Sequence, residues 1–129
     1  ELGSHAVLPK VVGLSNASDL LLSGRPVEGP EATGMGLASA CVPADEVLDL
    51  AIRRAREMAK LSAPVSMAIS KRLLWQSLGL EEMRALEEPL FDWVAAQPDS
   101  VEGVLSFLEK RPPEWKLSPI NNFPKELFK

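Results

Sequence analysis

The chain has 129 residues, 46% of them hydrophobic and 25% charged, a length that suits one domain with one core and a composition typical of globular proteins. Its net charge of −4, from 14 Lys and Arg against 18 Asp and Glu, argues against broad nucleic-acid binding, which needs a dense basic surface to displace phosphate counterions. No apolar run approaches the ~20 residues of a membrane span and no signal-peptide pattern opens the chain, so no membrane role is expected and the cytoplasm is the expected compartment.

Cys41 is the only cysteine and His5 the only histidine. No internal disulfide can form, and one His with one Cys supplies neither a multi-ligand zinc site nor a Cys–His catalytic pair, so no metal site is expected. The small apolar setting of Cys41, GLASACVP, predicts a buried residue, and His5 is assigned a capping or packing role.

In chain order, apolar residues at 6, 7, 8, 11 and 12 predict a short helix from Ser4 to Val12, kinked near Pro9 and stopped by Gly13. Ser15 can cap a second helix, whose apolar face of Ala17, Leu20, Leu21 and Leu22 closes at Ser23-Gly24. A third short helix starts near Pro30 and ends in the glycines of GMG. The small apolar run Leu37 to Val42 is the best strand candidate.

From Pro43 to Leu61 the spacing of Val47, Leu48, Ala51, Ile52, Ala55, Met58 and Ala59 predicts an amphipathic helix. A helix from Pro64 to about Ser77 follows, and beyond Gly79 comes another that carries Met83, Leu86, Leu90, Phe91 and Val94, with a kink expected at Pro89. Asp99 followed by Glu102 has the spacing of a capping box opening a last helix through Arg111, which Pro112-Pro113 ends. The tail holds Trp115, Phe123 and Phe128 among prolines, and docking onto a neighbouring surface competes there with partial disorder.

Four segments in order, ELGSHAVLPKVVG, LLLSGRPVEGPEATGMGLASACVP, APVSMAISKRLL and GVLSFLEKRPPEW, resemble the second half of the enoyl-CoA hydratase/isomerase, or crotonase, family. The resemblance runs from Glu1 to about Trp115. It implies a chain that is mainly α, the helical C-terminal part of an α/β crotonase-like fold built as a ββα spiral. On that basis residues 1–42 end the spiral core with short helices and one strand, 43–111 form the C-terminal helical region and 112–129 the tail. The expected partners are an acyl-CoA substrate, the missing N-terminal half of the same domain, and further copies in a homotrimer or hexamer. No separate cofactor is implied, since coenzyme A enters as part of the substrate.

The chemistry implied is that of an enoyl-CoA isomerase or hydratase acting on fatty acyl-CoA thioesters, in which two backbone N–H groups stabilise an enolate oxygen. Those donors would precede Glu1, and because loss of one such donor typically costs ~3 kcal/mol in the barrier, the fragment alone is expected to be inactive. In the isomerase branch a single glutamate opens the segment that Glu1-Leu2-Gly3-Ser4 and Pro9-Lys10 resemble, which places Glu1 on the catalytic position. A helix-start acid is the competing reading of Glu1. By the same resemblance Phe107 and Lys110 reach the nucleotide end of CoA and Phe91 is a second aromatic contact. The alternatives are core packing for Phe91 and Phe107 and a solvated end charge for Lys110. Functions that compete with the enzyme are an inactive acyl-CoA-binding homologue and a helical protein-interaction module.

Overall fold

A computed structural model describes residues 3–76 and 78–128. It is mainly helical, and among the described residues there is no strand. The chain divides into two compact units, Glu1–Ala51 and Ile52–Lys129.

In the first unit α1 spans Ser4–Ser23 and α2 Gly29–Gly34. The break in α1 falls at Gly13 (φ 78, ψ 160), not at Pro9. That conformation is open only to glycine, so a residue without Cβ absorbs the change of direction while Pro9 stays within helical geometry. Gly13 thus ends one helical run where the sequence stops it, and Ser15 stands in the first turn of the next. Past the left-handed Gly24, Arg25 fastens the two helices: its guanidinium donates to Asp19 (2.8 Å) and to both carboxylate oxygens of Glu31 (3.0 and 2.6 Å). The Arg25 hydrogen bonds hold the Glu31 carboxyl below its usual range.

The run Leu37–Val42 is turn and irregular chain, which corrects the expected strand. A strand exists only as part of a ladder, and no strand occurs among the described residues to pair with it. Cys41 is correspondingly exposed, not buried, although its Sγ lies so close to Gly29 that a Cβ there would sit 2.6 Å away. A 3-10 turn, Ala44–Glu46, leads into α3, Val47–Leu61, whose apolar residues Val47, Leu48, Ile52, Met58 and Leu61 are exposed.

The second unit contains α4 (Pro64–Leu74), α5 (Leu80–Ala95), α6 (Pro98–Leu108) and the one-turn α7 (Pro119–Asn122). Helix α4 ends at Leu74, short of the expected Ser77, which lies outside the described residues. Helix α5 runs through Pro89 as one element, and Glu82 in its first turn reaches back to the Gly79 N–H at 3.0 Å. Val65 and Ile69 of α4 meet Leu90 of α5 in the core. Leu117, Phe123, Leu127 and Phe128 from the tail pack against this cluster. Pro124 is fully buried, Phe123 and Phe128 stack with centroids 5.2 Å apart, and the Arg72 guanidinium lies 4.4 Å from the Phe128 ring centre. Docking is thus the outcome for the tail, and the surface it meets is the chain's own.

Helix α6 ends at Leu108, not Arg111, and Gln97 stands at its head without a side-chain cap. Asp99 and Glu102 do not form the expected capping box. Each turns to the returning chain: Asp99, 5% exposed, accepts the N–H groups of Lys116 (2.7 Å) and Leu117 (3.2 Å), while Glu102 accepts the N–H of Glu114 (2.6 Å). Backbone donors near a core must be paired, and a carboxylate pairs them more strongly than a neutral acceptor does.

Candidate functional site

The end of α6 is closed by two reversed hydrogen bonds, from the Arg111 N–H to the Ser106 carbonyl (3.1 Å) and from the Lys110 N–H to the Phe107 carbonyl (3.3 Å). This is the Schellman arrangement, whose left-handed position is usually glycine. Lys110 occupies it with φ 53, the only non-glycine residue with positive φ among those described. A side chain there costs about 1 kcal/mol relative to glycine.

Lys110 and Phe107 face a common cavity of about 500 Å³. Leu61, Gly103, Ser106, Arg111, Pro113 and Trp115 complete its lining. Phe107 is 83% exposed and therefore offers an open ring face. The Trp115 indole is fixed by its N–H bond to the Lys60 carbonyl (3.2 Å), and it lies against α6 at Gly103, where a Cβ would be 3.7 Å from the ring.

The two cations at this end of α6 differ in availability. Arg111 donates bidentately to Glu102 (2.5 and 2.9 Å) and through Nε to Glu109 (2.6 Å), so two carboxylates neutralise it. The Arg111 bonds, with the Glu114 N–H second, pull the Glu102 carboxyl down to about 2. Among the described residues Lys110 forms no ion pair. Open aromatic surface beside one unpaired ammonium suits a flat base bearing a phosphate.

Phe91 is not part of this cavity. It is 72% exposed on α5 and lines a separate depression of about 440 Å³ with Arg84, Glu87, Glu88 and Asp92. Three carboxylates there disfavour a phosphate, and Arg84 is already paired with Glu88 at 3.0 Å. Neither Phe91 nor Phe107 is core within this chain. Glu1 lies outside the described residues. Nothing local in the sequence marks Trp115 or Glu102 as a site residue: Trp115 is one of three tail aromatics there, and Glu102 has the spacing of a helix cap. No metal-binding cluster and no helix long and apolar enough to cross a membrane occur among the described residues.

The family model for enoyl-CoA hydratase/isomerase matches residues 1–118. The chain belongs to this family. The 2,3-dehydroadipyl-CoA hydratase of Escherichia coli is 38% identical over 116 residues, 88% of this chain and 45% of that protein. The mitochondrial methylglutaconyl-CoA hydratase of Mus musculus is 33% identical over 119 residues, covering 88% and 38%. A solved structure from Mycobacterium abscessus, a probable enoyl-CoA hydratase/isomerase, superposes with a TM-score of 0.86 at 36% identity, over 90% of this chain and 47% of its own. The chain therefore spans less than half the length of these relatives and corresponds to the helical C-terminal portion of the crotonase fold.

Proposed function

We propose that the cavity at the end of α6 takes the nucleotide end of coenzyme A, in a protein that acts on fatty enoyl-CoA thioesters as an isomerase or a hydratase through an enolate. The observation that carries this reading is the pairing of an open Phe107 ring with the unpaired Lys110 ammonium at one cavity, in a chain of this family. Phe107 and Trp115 supply flat apolar surface for an adenine, and Lys110 supplies charge for a phosphate. Oxyanion donors and most of the acyl pocket are assigned to the half of the fold that this chain does not contain. Glu1 is kept as the candidate base, which would take a proton at C2 and return it at C4 in the isomerase reaction.

The exposed apolar residues of α3 support burial against further protein, either the remainder of the domain or neighbouring copies in a trimer or hexamer. A cytoplasmic location accompanies the reading. The test is calorimetric titration of the chain with CoA and with CoA lacking its 3′-phosphate. Binding of CoA that weakens on loss of that phosphate, and equally in Lys110→Ala, supports the site. Equal affinity of the native chain for both ligands refutes the role given to Lys110. With a full-length protein, 3-enoyl-CoA and 2-enoyl-CoA assayed separately, with Glu1→Gln beside the native enzyme, decide between isomerase and hydratase.

A further inference from the structure

The cavity holds two cationic residues, yet only one of them is available to a ligand. Arg111 lines the wall but faces Glu102 across a bidentate pair and Glu109 through Nε. Glu102 is the stronger partner. It takes two of the guanidinium's three nitrogens, its side chain is 15% exposed against 54% for Glu109, and it is locked in place by the Glu114 N–H at 2.6 Å. Lys110 stands beside this closed triad without an ion-pair partner among the described residues.

We propose that Glu102 is a positioning residue that sets the cavity's selectivity: by holding Arg111 against the wall it leaves Lys110 as the single cation offered to a phosphate, so that ligands are taken by ring stacking more than by charge. This rests on the nucleotide-site reading above. The Lys110, Arg111, Glu102 and Glu109 cluster sums to zero charge, whereas stacking and one ammonium contact remain in place. A phosphate beyond the one that meets Lys110 therefore gains little from the native cavity. Once Glu102 is neutral, the Arg111 fork, made for bidentate phosphate contact, is free to turn inward.

The substitution that tests this is Glu102→Gln, which keeps an oxygen to accept the Glu114 N–H, removes the charge and replaces the oxygen that accepts from Arg111 Nη2 with an amide that cannot accept. The full 129-residue chain is titrated with adenosine 3′,5′-bisphosphate and with adenosine at two salt concentrations. Glu102→Gln should raise the ratio of bisphosphate to adenosine affinity about three- to fivefold, an exposed ion pair's worth, and make bisphosphate binding more salt-sensitive. Glu102→Gln with Arg111→Gln should return the ratio to its native value. Because a ratio cancels any loss of folded protein, a destabilised variant still reports. An unchanged ratio, or a gain that survives removal of Arg111, overturns the proposal while leaving the nucleotide site standing. A native chain that binds neither ligand overturns both.

Discussion

The Asp99 carboxylate accepts the backbone N–H of Lys116 at 2.7 Å, joining the first turn of α6 to a point 17 residues further along the chain. The same carboxylate takes the neighbouring N–H of Leu117 at 3.2 Å. Asp99→Ala strands both donors in a partly buried setting and should cost about 1 to 2 kcal/mol. Hydrogen exchange is the direct check: amides of residues 112–128 should lose protection more than those of α4. Uniform loss across the unit would contradict a specific role for Asp99 in seating the tail.

Lys110 separates stability from binding. Lys110→Gly removes the side chain from a left-handed position and should stabilise the chain by about 1 kcal/mol. The same variant should bind CoA several-fold more weakly. Thermal melting and calorimetry on one preparation test the opposed signs, and a loss of stability would show that the lysine side chain contributes contacts that outweigh the strain.

The Glu102 carboxyl, lowered to about 2 chiefly by the Arg111 hydrogen bonds, implies an acid-labile element. An unperturbed glutamate titrates near 4.3. A depressed carboxyl contributes stability that is fully present above its unfolded value and fades as pH falls toward its folded one. Stability should therefore decline between roughly pH 4.5 and 2, and Glu102→Gln should flatten that part of the curve. Denaturant melts across this range decide it; identical pH slopes in both proteins would remove Glu102 as a cause.

The Arg72–Phe128–Phe123 stack is the other anchor of the tail. Phe128→Ala should cost about 2 to 3 kcal/mol, less than for a fully buried ring because Phe128 is partly exposed. Arg72→Gln should cost nearer ~0.5 to 1 kcal/mol through the lost cation–ring contact. Equal costs would assign Arg72 a packing role beyond its charge.

Elements governed by local chemistry were legible in the sequence. The 3.6-residue recurrence from Val47 to Ala59 marks α3 and Pro30 opens α2, whereas Phe107 and Lys110 are marked by resemblance and meet at one cavity through the left-handed turn past Leu108. What depends on distant partners was not. A strand at Leu37–Val42 needs a ladder that the local pattern cannot supply. Asp99 and Glu102 have the spacing of a helix cap and also the spacing that lets two acids on one face receive a returning strand of chain. Only the positions of Glu114, Lys116 and Leu117 distinguish the two uses. Trp115 joined the site for the same reason, since its partner, the Lys60 carbonyl, is 55 residues away.

Because Asp99 and Glu102 share a face only once α6 is wound, that helix acts as a template and the docking of residues 112–128 has to follow its formation in time. The loop it closes is short, 17 residues from Asp99 to Lys116, so the entropic toll is small and the step should be quick. The same ordering runs in reverse on unfolding. Residues 113–116, which wall the cavity and hang from α6 by the Glu102 and Asp99 carboxylates, should be the first of the unit to let go, and limited proteolysis should cut there before it cuts α4 or α5.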